Sequence, residues 1–144
     1  MEYNTFAMTN MKTSSPNERL SQIFKAMSTP ARLQILMAIG KGEACVCHLE
    51  ALLALRQAYI SQQLMDMRDA ALVDTRREGR YIYYRLTEPQ LLDRLLDIGK
   101  LFGIVIKEID PVVDAAPLPQ CSCPACLAKL DSAYISPENI PTQK

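Results

Sequence analysis

Between residues 57 and 86 the apolar pattern changes period, and that change restricts the fold more than any other feature of the chain. Ile60, Leu64, Met67 and Ala71 recur three or four residues apart, the spacing of one helical face. Immediately afterwards, Leu72-Val73-Asp74-Thr75-Arg76-Arg77 and Tyr81-Ile82-Tyr83-Tyr84-Arg85-Leu86 read as two strands rich in β-branched and aromatic side chains. Glu78-Gly79-Arg80 between them is a hairpin tip, with glycine where a positive φ is needed.

The residues upstream are helical. Ser15-Pro16 and Thr29-Pro30 each combine a capping side chain with proline in the first turn. Leu20, Ile23, Phe24 and Met27 follow the first signal, and Leu33, Ile35, Leu36 and Ile39 the second. Gly40-Lys41-Gly42 stops the second helix. A third helix is predicted from about Ala44 to Leu53, and a fourth, after a tight turn, from Gln57 to Ala70. Thr87-Glu88-Pro89 opens a last helix predicted to reach about Lys107. Its leucines and isoleucines lie around most of its circumference, so it needs cover on more than one side. A chain of 144 residues has one core's worth of cover, which implies a homodimer built on the last helix and the first. The expected architecture is mainly α with a β-hairpin wing, a winged helix-turn-helix. Residues 1–15 form a flexible arm, 16–110 the DNA-binding and dimerisation domain, and 111–144 a Cys/Pro-rich tail.

Hydrophobic residues make up 49% of the chain and charged residues 22%, an ordinary globular balance. No apolar run is long enough for a bilayer, and the polar N-terminus lacks a signal core. The expected location is the cytoplasm, with no membrane partner. Thiols stay reduced there, so the five cysteines point to metal or redox chemistry rather than to a disulfide framework. Net charge is zero, but residues 1–41 carry five basic side chains against two acidic, and residues 56–85 six against four. A local basic patch is enough to bind phosphates.

In a helix-turn-helix the second helix enters the major groove and its N-terminal residues reach base edges. Here those are Gln57, Tyr59, Ser61, Gln62 and Gln63, with Gln suited to adenine and Ser to bases or phosphate. At the wing, Arg76, Arg77 and Arg80 suit a narrow minor groove. The partner implied is double-stranded operator DNA. There is no phosphate loop, dinucleotide fingerprint or Cys-His constellation beyond the adjacent Cys47-His48, so no enzyme is expected.

Cys45 and Cys47 stand two apart at the start of the third helix. To grip one ion both must lie in its first turn, where the helix N-terminus favours the thiolate. Cys121, Cys123 and Cys126 form a C-x-C-x2-C cluster in a proline-rich segment with no evident core for the sulfurs to enter. Eleven residues from Asp110 to Cys121 span at most about 36–40 Å, enough to reach the third helix or a partner subunit. These soft donors suit zinc, cadmium, lead, copper(I) or trivalent arsenic. His48, the chain's one histidine, is expected in a polar surface role.

The motifs Glu43-Ala44-Cys45-Val46-Cys47-His48-Leu49, Ile60-Ser61-Gln62-Gln63-Leu64 with Arg68-Asp69-Ala70-Ala71-Leu72-Val73, and Arg76-Arg77-Glu78-Gly79-Arg80 with Tyr84-Arg85-Leu86 resemble the ArsR/SmtB family of metal-responsive repressors. The resemblance covers about residues 16–107. It implies a dimeric repressor that leaves its operator when an inducer binds. Cys45-Val46-Cys47 looks like the family's thiolate site for trivalent arsenic or antimony, cadmium or lead. Arsenic sensors of one type have a further cysteine where this chain has Glu50. Other sensors draw cysteines from an N-terminal arm that is cysteine-free here. The C-terminal cluster stands in for both. The last helix has Asp93 and Asp97 but no histidine, unlike the family's alternative zinc site. Two other readings remain open: a thiol redox or sulfide-responsive repressor of the same fold, and a repressor with a structural zinc in the tail.

Overall fold

The computed structural model describes residues 14–106 and 121–128. In chain order the elements are α1 (Pro16–Met27), α2 (Pro30–Ile39), β1 (Glu43–Cys45), α3 (Val46–Leu53), α4 (Gln57–Asp69), β2 (Val73–Glu78), β3 (Tyr81–Leu86) and α5 (Leu91–Leu101). The predicted arm up to residue 13, and most of the predicted tail, lie outside the described residues.

The caps act as the sequence implies. Ser15 and Glu18 form a reciprocal capping box at α1, and the Thr29 hydroxyl accepts the Arg32 backbone N–H at α2. Gly40, at φ 64°, ends α2 in a conformation that favours glycine. Ile35, Leu36, Ile39, Leu49, Ile60, Leu64 and Met67 are fully buried, so α2, α3 and α4 share one core. Val73, Tyr84 and Leu86 close it from the sheet side.

The sheet has three antiparallel strands in the order β1-β3-β2, one more than the hairpin read from sequence. β1 takes Glu43–Cys45, so α3 starts at Val46 rather than Ala44. The strand is too short to show a period of its own. It exists because β3 offers it an edge, with Glu43 opposite Arg85 and Cys45 opposite Tyr83.

The last helix is shorter than predicted. Residues 87–90 form a turn, and the helix ends at Leu101. Gly103, at φ 69°, donates its N–H to Lys100 O, and Ile104 donates to Gly99 O at 2.9 Å. This is a Schellman stop, and it overrides the apolar periodicity that Ile104 and Val105 continue in the sequence. Among the described residues no helix is long and apolar enough to cross a membrane.

Candidate functional site

The helix-turn-helix places α4 after a left-handed residue, Ala54 at φ 54°. Gln57, Tyr59 and Gln62 are exposed on α4, and Ser61 is half-buried. Gln63 corrects the sequence reading, because it is buried rather than facing outward. Its side-chain oxygen accepts Arg32 Nε at 2.8 Å. The same guanidinium pairs with Asp66 and donates to Ala26 O, so Arg32 ties α4 to α2 and to the end of α1.

At the wing, Gly79 (φ 59°) forms the tip, with Arg77 and Arg80 exposed beside it. Arg76 departs from the expected role. Its guanidinium bonds Glu43 at 2.7 Å and Glu78 at 3.0 Å, and lies 4.6 Å above the Tyr83 ring. These two carboxylates hold Arg76 firmly charged and turned toward the sheet.

Opposed residues of antiparallel strands point to the same side. Ala44, Tyr84 and Leu86 therefore face the core, while Cys45, Tyr83 and Arg76 share the outer face. On that face Tyr83 is nonetheless only 2% exposed. Residues 121–128, with a helical turn over 124–128, lie across it. The Ala125 N–H donates to the Tyr83 hydroxyl at 3.2 Å, and the Tyr81 hydroxyl and Ser122 Oγ share a hydrogen bond of 2.7 Å.

This contact gathers the sulfurs. Cys45, Cys121, Cys123 and Cys126 are buried together with Tyr83, whereas the sequence suggested that the tail sulfurs have no core to enter. Cys45 Sγ lies 3.7 Å from Cys121 Sγ. The donor atoms of Cys45, His48, Cys121 and Cys123 all fall within 4.8 Å of one another. His48 is the second correction. It is 5% exposed, not on the surface, with Nδ1 at 2.9 Å from Cys45 Sγ and Nε2 at 2.8 Å from Cys126 Sγ. Cys45 is the N-cap of α3 and His48 its third helical residue, so the ring reaches back over the first turn. That three-residue offset was the signal in the sequence. Cys47 is the third correction. As the second residue of the helix it is exposed, away from the other sulfurs.

Burial pushes the Cys45 thiol well above its ordinary range, and the nearby Cys123 and Cys121 add to the effect. Cys121 is raised chiefly by burial. Burial also penalises the Cys123 thiolate, but hydrogen bonds from the Cys126 backbone and from the side chains of Cys121, Tyr83 and Cys45 outweigh it and lower its pKa. The donor set fits a soft or borderline ion. Sulfur donors about 2.3 Å from a tetrahedral zinc stand about 3.8 Å apart, close to the 3.7 Å between Cys45 Sγ and Cys121 Sγ, whereas Cys45 Sγ and His48 Nδ1 are nearer at 2.9 Å.

The model of the bacterial regulatory proteins of the arsR family matches residues 29–75. The biofilm growth-associated repressor of Agrobacterium fabrum is 47% identical over 46% of this chain and 56% of its own length. The arsenic resistance transcriptional regulator ArsR1 of Pseudomonas putida is 38% identical over 51% of this chain and 60% of its own. The chain thus spans somewhat over half the length of these relatives. The crystal structure of NolR from Sinorhizobium fredii superposes with a TM-score of 0.54 at 31% identity, covering 66% of this chain and 100% of that one. With α3 and α4 as the helix-turn-helix and β2–β3 as the wing, the chain belongs to the arsR family of bacterial regulatory proteins.

Proposed function

We propose that this chain is a transcriptional repressor that binds operator DNA as a homodimer and releases it when a thiophilic ion enters the cysteine cluster. The observation that carries the reading is the position of Cys45. It caps α3 of the DNA-binding unit and lies within one 4.8 Å cluster with Cys121 and Cys123 of the tail. Cys45, Cys121 and Cys123 would hold the ion, with His48 as a fourth donor and Cys126 against the far side of the imidazole. Cys47 is left out. The ion supplies a bond between the tail and α3, which packs directly on α4.

Trivalent arsenic or antimony would use the three sulfurs, whereas cadmium, lead or zinc would also take the imidazole. Couplings between two such sites are typically about 1–3 kcal/mol. Exposed Leu20 and Phe24 on α1, and Ile98, Leu101 and Phe102 at the end of α5, support a dimer on those two helices.

The test is to titrate the reduced protein, bound to its own promoter fragment, with arsenite, cadmium, lead and zinc. DNA release should accompany thiolate uptake of at least one ion. Absence of thiol-dependent uptake of all four would remove the sensor reading and leave a winged-helix DNA binder. The 3.7 Å gap between Cys45 and Cys121 also favours a second reading. A peroxide could take two electrons and two protons from these thiols, forming a disulfide. Ion-induced release in excess reductant separates the two. Zinc kept through purification, with DNA release indifferent to chelation, would mark a structural ion instead.

A further inference from the structure

We propose that Tyr81 and Ser122 are the positioning pair through which the cysteine cluster acts on the wing. The proposal rests on the sensor reading above and gives it a second route to DNA, separate from α3 and α4. Ser122 lies between two of the clustered cysteines, and its hydroxyl is bonded to Tyr81 at 2.7 Å. The Tyr81 hydroxyl in turn accepts Arg80 Nη2 at 3.0 Å, and the Arg80 guanidinium lies 5.2 Å from the centre of the Tyr81 ring. A continuous chain of contacts therefore runs from the sulfurs to the arginine beside the wing tip. Arg80 drawn back onto Tyr81 is an arginine withheld from the minor groove.

The rest of the outer sheet face fixes the geometry. Tyr83 holds Ala125 by its hydroxyl and lies under Arg76, and Arg76 is clamped to Glu43 two residues before Cys45. With its neighbours held in this way, a shift of Ser122 is passed to Tyr81 rather than absorbed by the strand. An ion that draws Cys121 and Cys123 onto Cys45 fixes Ser122 and keeps Arg80 folded back. Without the ion the Tyr81–Ser122 contact still forms but is held less tightly, and the guanidinium can leave Tyr81 for DNA. The contact partners are side chains of this one chain, so the route needs nothing from a partner subunit.

The experiment compares wild type with Tyr81→Phe and Ser122→Ala, each of which deletes one hydroxyl from an exposed or half-buried position. Cadmium(II) is the probe, its uptake followed by thiolate-to-cadmium absorption, and operator affinity is measured by anisotropy across a salt series. Both variants should take up cadmium with wild-type stoichiometry and bind the operator without metal within about twofold of wild type. Their cadmium-induced loss of affinity should be about fivefold smaller, in keeping with the loss of one hydrogen bond. Cadmium should flatten the salt slope of the wild type by about one, the contribution of one phosphate contact, and leave the slope of the variants steep. A residue with a merely structural role would not separate uptake from release. Wild-type release by both variants at normal cadmium uptake overturns the proposal.

A metal-free arm keeps the two readings apart. In the reduced apoprotein, amide hydrogen exchange over residues 76–83 should be faster in both variants than in wild type. Equal exchange overturns the proposal even where the sensor reading stands. If wild type takes up none of cadmium, arsenite, lead and zinc, the sensor reading fails, and faster exchange in the variants still supports the contact between tail and wing.

Discussion

Arg32 of α2 donates its Nε to the side-chain oxygen of Gln63 on α4 across 2.8 Å, joining residues 31 positions apart. The recognition helix is thereby anchored by a residue whose type suggested a base contact. Replacing Arg32 with Ala leaves Gln63 buried and unpartnered by the guanidinium, and also removes the ion pair with Asp66. Loss of about 2 kcal/mol is expected, the scale of a hydrogen bond to a charged group. Urea unfolding measures it, and a loss below about 0.5 kcal/mol would show that the anchor is dispensable. Gln63→Ala should lower stability in the same assay without changing which operator bases are preferred.

The wing arginines divide into two kinds. Arg80→Ala, and Arg77→Ala likewise, should weaken operator binding and flatten the dependence of log K on log salt by about one. Arg76→Ala should leave that slope unchanged, because its guanidinium is held by Glu43 and Glu78. It should instead lower stability by about 1 kcal/mol, the scale of a half-buried charged pair after solvent screening. A slope change for Arg76→Ala equal to that for Arg80→Ala would contradict this division.

Of the two cysteines at the head of α3, one is expected to matter. Cys45→Ser should abolish ion-induced DNA release, while Cys47→Ser should respond as wild type does, since Cys47 is exposed outside the cluster. Both should bind the operator normally without ion. Release retained by Cys45→Ser, or lost by Cys47→Ser, would mean that the sulfurs rearrange when the ion enters. His48→Ala should weaken cadmium uptake more than arsenite uptake, because three sulfurs suffice for trivalent arsenic.

Ala54 caps α3 at φ 54°, a left-handed conformation that costs an L-residue about 1 kcal/mol relative to glycine. The side chain is exposed, so little packing is lost by removing its methyl group. Ala54→Gly should stabilise the fold by roughly 0.5–1 kcal/mol. Thermal unfolding of the two proteins at matched concentration is the measurement, and a lower Tm for the glycine variant would count against the strain.

Dimer formation is expected to fail when charge enters its apolar surface. Phe24→Glu on α1 or Leu101→Glu on α5 changes a side chain that is 51% or 82% exposed in the single chain. Neither should disturb the core. Sedimentation should show monomers and operator affinity should fall at least tenfold. A dimer that survives both changes lies on another surface.

The helices, the hairpin and the glycine at its tip were legible because each is a local pattern of period, cap or turn. α5 was overextended because apolar spacing continues past the point where Gly103 turns the chain, and backbone hydrogen bonds, not hydropathy, end a helix there. β1 was missed because three residues have no period and pair only through β3. The residue types of Gln63 and Arg76 point to DNA ligands. Their partners, Arg32 and Glu43, lie 31 and 33 positions away in sequence. The tail cysteines were recognisable as donors by spacing alone. Their burial and the part of His48 depended on a long-range contact with the outer face of the wing, which no local pattern encodes.

Cys45 ends β1 and caps α3 at the same time. One α-carbon thus belongs both to a sheet ladder and to a helical barrel, and there is no joint between them to take up slack. Any pull on its sulfur is divided at once between the strands and the helix, like a load hung on a shared corner post.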